Sequence, residues 1–412
     1  MRILFIHQNF PAQFKYLAPA LASNPQNQVV ALTTRPNSPE VWQGVQLVSY
    51  QETRQASASS HVWARDYEKK IIQGSAALQM AIALKNGGFY PDIVIAHPGW
   101  GEGLFIKDVW PQAKLALYCE LFFHAQGLDE DFDPEFMNKD INHLCQVRLK
   151  NAHYLVQMLA ADAAISPMYW QAQTFPAFFR EKIAVIHEGI DTKELRPNPD
   201  IGLSFKTPKG QSLSLTRHSE VVTFVCRNLE PYRGYHIFMR ALPELLRRRP
   251  NAHVLIVGGH EVSYGKAPAN GQSWKDIFLN EVREQLDMER VFFLGQIPYS
   301  LFKGLLQLST VHVYLTYPSV LSWSVLEAMS TGCAIVASDT PPLHEVIRHN
   351  DNGRLFNFFD QQALVNNVCE LLDDPQERAR LGANARVFAQ ENYDLERICL
   401  PKQLAWVKSL LT

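Results

Sequence analysis

Short apolar runs alternate along this chain with longer stretches of helical spacing. Residues 2–7 (RILFIH) form an unbroken apolar run, the pattern of a parallel strand covered on both faces. Helical spacing follows over 13–22, then strands at 28–34 (QVVALTT) and 45–50 (VQLVSY). A polar stretch at 51–60 leads to a long helix over 62–85. DIVIAH after Pro91 and KLALYCE at 114–120 are strands, a helix is predicted over 134–157, DAAISP ends a short strand, MYWQAQTFP starts a helix, and KIAVIHEGI at 182–190 is the last strand of this half. Pro, Ser, Gly and Lys dominate 191–220, which predicts a linker. The alternation then repeats: strand VVTFVC, loop RNLEPYRGY, helix HIFMRALPELLRRR, strand HVLIVGG, a helix over 274–286, strand VFFLGQ, helix YSLFKGLLQLS and strand VHVYLTY. SWSVLEAMSTG comes next, with Val325, Leu326 and Met329 on one side and Gly332 closing the helix, followed by strand CAIVAS. Helices are expected from Pro342, over 361–373 and 375–391, and in the amphipathic tail. The expectation is an α/β protein of two doubly wound parallel sheets facing a central cleft, with domains 1–200 and 201–394 and a final helix, 395–412, crossing back to the first.

At 412 residues the chain is too long for one core, which agrees with two domains. A net charge of −2 supplies no general drive toward nucleic acid or an anionic membrane. Arg247, Arg248 and Arg249 end an amphipathic helix, where cations suit the dipole, and read as a solvated face. The six cysteines are scattered, with no C-x-x-C pair, and several lie in apolar strands, so reduced, mostly buried thiols of a cytoplasmic protein are expected. No apolar run reaches membrane-span length, and MRILFIH reads as a strand rather than a signal peptide.

Candidate chemistry sits at the carboxyl ends of strands, where open α/β sheets bind ligands. The stretch 314–332 is strand, loop and helix N-terminus, an anion-binding arrangement because the first helical N–H groups have no internal partner. Glu327, one turn in, is placed to meet a ribose or sugar hydroxyl, or else only offsets the dipole. Neither half carries G-x-G-x-x-G after its first strand, so phosphate must be met otherwise. Arg227 ends one strand and Arg233 follows beside Gly234, two guanidiniums suited to a diphosphate. In the first half the strand ends present His7, Asn9 and Phe10, then Trp100 between two glycines, then Glu120, and finally Glu188. Asp129, Glu130, Asp131 and Asp133 lack the spacing of a calcium loop and read as a solvated acidic turn.

The motifs IHEGIDT (186–192), CRNLEPYRG (226–234), VLIVGG (254–259), FFLGQIP (292–298) and the stretch 317–347 resemble the retaining family 4 glycosyltransferases, also called glycosyl transferases group 1. The resemblance covers nearly the whole chain and implies the GT-B fold, with an acceptor-binding first domain and a nucleotide-sugar-binding second domain. It implies that Arg227 and Arg233 bind the donor diphosphate, Arg233 standing for the family's Lys. It also implies that Glu327 holds the ribose as the second Glu of a Glu-x7-Glu motif whose first position is Ser319 here. Backbone amides of Leu321, Ser322 and Trp323 are expected at the sugar or phosphate, and Gly258, Gly295, Gln296 and Ile297 along the donor. The family's His in the first domain corresponds to Glu120 or to His124, and His7, Asn9, Phe10, Trp100 and Glu188 are expected toward the acceptor. The implied reaction moves a hexose-type sugar from a nucleotide diphosphate sugar, UDP-sugar favoured over GDP-mannose, to a saccharide, lipid-linked or protein acceptor. It proceeds with retention and without cofactor or metal, as in polysaccharide biosynthesis. A peripheral contact with the inner membrane face would fit a lipid-linked acceptor, although no basic amphipathic helix demands it. The alternative is a catalytically weak GT-B nucleotide-sugar-binding or partner subunit, motivated by Ser319.

Overall fold

The computed structural model describes every residue except 53, 207, 208, 211 and 270. The chain divides into two compact units, Met1–Gly189 with Leu395–Thr412, and Ile190–Asp394. The division falls at Gly189 rather than at 200, and the two crossing segments lie side by side: Ile190 N–H donates to the Tyr393 carbonyl at 2.8 Å.

In the first unit, strands β1 (Arg2–Ile6), β2 (Gln28–Thr33), β3 (Val41–Trp42), β4 (Val45–Ser49), β5 (Ile93–Ala96), β6 (Lys114–Tyr118), β7 (Ala163–Ser166) and β8 (Ile183–Val185) form one sheet. Its order is β3-β4-β2-β1-β5-β6-β7-β8, with only the edge pair β3–β4 antiparallel. Leu4 and Ile6 enter one apolar cluster while Ile3 and Phe5 enter another on the opposite face. That double coverage is why β1 reads as an uninterrupted apolar run. Trp406 and Val407, from the terminal helix Leu400–Ser409, belong to the second cluster, and Gln403 donates to the His187 carbonyl at 3.0 Å.

The second unit holds β9 (Gly202–Lys206), β10 (Ser212–Thr216), β11 (Val221–Asn228), β12 (His253–Gly259), β13 (Val291–Gly295), β14 (Val311–Tyr314), β15 (Ala334–Ser338) and β16 (Arg354–Phe356). Its main sheet is wholly parallel in the order β13-β12-β11-β14-β15-β16. This is a doubly wound sheet whose direction of winding reverses between β11 and β14, the place where such sheets bind ligands.

Three expectations need correction. The predicted linker contains an antiparallel hairpin, β9 with β10, whose Leu203, Phe205, Leu213 and Leu215 alternate into the core; residues 207, 208 and 211 of that stretch lie outside the described ones. The single helix over 134–157 is two, Ile141–Leu149 and Ala152–Ala160. Asp140 caps the first through Asn142 N–H, and the break falls at Asn151, whose side chain pairs with the Phe123 backbone. After Pro341 only a short 3-10 turn forms, Pro341–Glu345, before β16.

Candidate functional site

In the second unit β11 ends in Arg227 and Asn228, next to the end of β14. A 3-10 turn, Pro231–Arg233, and Gly234 at φ +68° lead into the helix Tyr235–Arg248. A Cβ at Gly234 would stand 2.3 Å from Leu315 Cβ, so only glycine lets the turn close against the segment after β14. This packing buries Arg233 to 4% exposure. Its Nη1 donates to Thr316 Oγ1 at 2.7 Å and to the Val320 carbonyl at 3.2 Å, and the guanidinium lies 4.7 Å from the centre of the Tyr264 ring. Among the described residues it forms no ion pair. Burial disfavours its charge, but Tyr314, Tyr264 and Tyr232 outweigh this and raise its pKa above the ordinary arginine value. Arg227 is exposed.

Glu327 is 7% exposed on the helix Trp323–Ser330 and accepts from Tyr299 at 2.9 Å. Tyr299 opens the helix that follows Gly295, Gln296, Ile297 and Pro298, so this bond ties Glu327 to the start of that helix. Ser322 caps the Trp323 helix through Ser324 N–H, and its own N–H donates to Tyr314 at 3.1 Å. Ser319 is buried and accepts from Tyr232 Oη at 3.0 Å.

The first unit gathers a second cluster at the adjacent ends of β1, β5 and β6. His97 Nδ1 accepts from Gly99 N–H at 3.1 Å, so its Nε2 carries the proton that faces Glu120 Oε2 at 3.2 Å. Gln13 donates to the other Glu120 oxygen at 2.6 Å. Burial pushes the Glu120 pKa up, but these hydrogen bonds and the nearby His97 hold it below the usual carboxylate value. The His7 and His97 rings lie 5.3 Å apart, with Trp100 at 4.8 and 4.4 Å from them. Burial and His97 push His7 down to about 3. Behind this cluster Tyr50 donates to the buried Glu102, whose pKa burial lifts to about 7.

Comparison with known proteins places the chain by family and fold. Residues 25–195 fit the model of the glycosyl transferase family 4 group, and residues 212–388 fit that of glycosyl transferases group 1. The chain belongs to this glycosyltransferase family. It is 25% identical over 309 residues to D-inositol 3-phosphate glycosyltransferase of Corynebacterium efficiens, an alignment covering 73% of this chain and 68% of that one. Sucrose-phosphate synthase from Thermosynechococcus elongatus superposes with a TM-score of 0.73 at 17% identity, covering 99% of both chains. Anabaena HepE in complex with UDP and glucose superposes with a TM-score of 0.67, again at 17% identity and 99% coverage of both. The fold is GT-B, with one Rossmann-like sheet in each unit.

In this glycosyltransferase the other predicted site residues are placed as follows. Glu120 joins His7, His97 and Trp100, whereas His124 is exposed and its Nε2 bonds the Thr174 carbonyl at 2.8 Å. Phe10 is core, packed on Phe5 and Trp42, and Asn9 is exposed with its N–H on His7 Nδ1 at 2.9 Å. Glu188 is buried against Tyr118 and His187. Leu321 is buried, and a Cβ at Gly258 would stand 2.9 Å from Leu229 Cδ2 and 3.1 Å from the Cys226 carbonyl. The acidic turn is not solvated: Asp129 and Asp133 are buried, Glu130 pairs with His143 and Lys150, and Asp131 accepts from Gly127 N–H. Arg247 and Arg248 are exposed, as a solvated face requires, with Arg247 paired to Glu244, whereas Arg249 is half-buried between Glu220 and Asp373. All six cysteines are free thiols, and no described helix is long and apolar enough to cross a membrane. Sequence reasoning missed His97, Gln13, Glu230 and Tyr264. The signal for His97 was available, because LFIH, IVIAH and YCE each end a strand in a titratable residue.

Proposed function

We propose that this glycosyltransferase moves a hexose-type sugar from a nucleoside diphosphate sugar to a hydroxyl acceptor with retention of configuration. The observation that carries this reading is Arg233, a buried guanidinium with no ion-pair partner among the described residues at the winding reversal of a doubly wound sheet. A buried charge with no direct ion pair is costly, the nearby Glu230 and the tyrosines around it offset only part of that cost, and a diphosphate arriving at its remaining N–H donors would compensate the rest. Arg227 and Arg233 neutralise the charge that builds on the leaving diphosphate, where electrostatic stabilisation accelerates glycosyl transfer most. This is the service a divalent ion would otherwise perform, so the reaction proceeds without one. Glu327 accepts the ribose hydroxyls, beside the Gly295–Ile297 segment that meets the base. Retention follows from front-face attack, in which the departing phosphate oxygen takes the acceptor proton. Glu120, fixed by His97 and Gln13 in the first unit, meets the acceptor hydroxyl.

UDP-sugar is the favoured donor and GDP-mannose the second choice; a relative of the same fold binds UDP and glucose. The acceptor is a saccharide, a lipid-linked saccharide or a protein side chain, and the likeness to an inositol phosphate glycosyltransferase adds a polyol phosphate. Calorimetric titration of UDP, GDP and ADP into the wild type and Arg227→Ala tests the reading. Binding of one nucleotide that the variant loses supports it, and no binding at millimolar concentration refutes it. One observation favours a second reading, a weakly catalytic partner subunit: Ser319 stands where the family's first Glu contacts the sugar, and its hydroxyl is occupied by Tyr232.

A further inference from the structure

Among the described residues between β12 and the helix Trp274–Val282 none is in helix or strand, yet this loop sets a large aromatic side chain over Arg233. One carboxylate holds it there. Glu230, fully buried, accepts from Ser263 N–H at 3.2 and 3.3 Å, from Tyr264 N–H at 3.3 Å and from Gly265 N–H at 3.3 Å. Asn228 adds a bond to Ser263 Oγ at 2.7 Å. Tyr264 is 44% exposed and stacks on Tyr232, ring centres 5.2 Å apart and planes within 18°. Tyr232 in turn lies 5.0 Å from Tyr317.

We infer that Glu230 is a positioning residue: its carboxylate latches the Ser263–Gly265 turn onto the segment bearing both arginines, and through Tyr264 it sets the plane in which Arg233 meets the donor diphosphate. Arg233 spends Nη1 on Thr316 and Val320, and the Tyr264 side chain favours its charge by hydrogen bonding as well as lying against its face. Two bonds at a single nitrogen leave the rest of the guanidinium free to tilt, and Tyr264 restricts the tilt and excludes water. A carboxylate near a phosphate site would ordinarily repel the ligand. Here three converging amides absorb its charge, as backbone nests do for anions. Beyond the latch, Asn228 holds Ser263 and Trp274 Nε1–H donates to the Lys266 carbonyl at 2.9 Å, so losing the latch loosens the Ser263–Gly265 turn locally.

This inference rests on the donor reading above, so the test separates the two. UDP and UMP are titrated by calorimetry into the full chain as wild type, Glu230→Ala, Glu230→Gln, Tyr264→Ala and the Glu230→Ala/Tyr264→Ala double variant. Glu230→Ala is expected to lose about tenfold in UDP affinity but less than about threefold for UMP, the loss that one or two hydrogen bonds account for. Tyr264→Ala, at an exposed position, should lose as much, and the double variant no more than either single. Glu230→Gln, which keeps an acceptor oxygen, should lie between wild type and Glu230→Ala, and it serves as the reading if the alanine variant does not fold. Equal losses for UDP and UMP, or fully additive losses, overturn the inference. If the wild type binds no nucleotide the donor reading fails, and trypsin decides the latch alone. Cleavage after Lys266 should run about tenfold faster in Glu230→Ala, as expected when a turn held by several hydrogen bonds is released, and an unchanged rate refutes the latch.

Discussion

Replacing Arg233 by Met separates a residue kept for binding from one kept for folding. The guanidinium contributes two charge-assisted hydrogen bonds, to Thr316 Oγ1 and the Val320 carbonyl, and a stacked ring, Tyr264. The bonds are worth about 1.5–3 kcal/mol each and the ring contact about 1–2 kcal/mol. Against this stands the desolvation of a charge at 4% exposure, several kcal/mol on the usual scale. The two sides nearly cancel, so Arg233→Met should change the stability of the second unit by no more than about 2 kcal/mol in either direction. That is roughly 4–8 °C in Tm for a unit of this size. Diphosphate binding has no such compensation: losing a bidentate charged contact should weaken UDP by about a hundredfold or more. Scanning calorimetry and nucleotide titration on the same samples make the comparison. A Tm fall beyond about 15 °C with UDP affinity unchanged within about twofold would show that Arg233 is structural and refute the reasoning.

Glu120→Ala should lower sugar release from the preferred donor by about a hundredfold or more, and His124→Ala by less than about threefold, measured as nucleotide release, because only Glu120 faces the His7 and His97 cluster. Gly234→Ala should cost the second unit about 3 kcal/mol, roughly 6–12 °C in Tm, because its Cβ would stand 2.3 Å from Leu315 at a positive φ; a loss under about 1 kcal/mol would contradict the packing. The first unit should lose stability as pH falls from 6.5 toward 4. His7, His153 and His187 are held neutral by burial, at about 3, 4 and 3, while the unfolded chain protonates them near 6.5. Their depressed values therefore stabilise the fold above pH 6.5 and lose that effect below it. Glu102, raised to about 7 from 4.5, works in the opposite direction between those values. Three histidines against one carboxyl leave about two protons, a slope near pH 5 of about 3 kcal/mol per pH unit. Urea midpoints at pH 5 and 6 measure it, and a flat profile would mean that these histidines charge in the folded unit.

The elements with strong local signals were legible in the sequence. Double-sided strands such as β1 announce themselves by unbroken apolar runs, and the Trp323–Ser330 helix by its spacing and its terminal Gly332. The β9–β10 hairpin was misread because Pro, Gly and Lys between GLSFK and SLSLT in the sequence drew attention from their period-two pattern. The helix over 134–157 was read as one because periodicity cannot see that Asn151 turns its amide to Phe123.

By itself the sequence determined two doubly wound halves, the two-arginine segment and the carboxylate at Glu327, because strand period, helix period and the chemistry of side chains at strand ends are local properties. Only the tertiary structure decided which strand ends are neighbours. Strand order sets β1 beside β5 beside β6, so His7, His97 and Glu120 converge although nearly a hundred residues separate the first two. The same holds for Glu230 and Tyr264, which meet because the ends of β11 and β12 are paired. The reason is physical: hydrogen-bond pairing between strands and the packing of both sheet faces are collective, and no single segment encodes its partner.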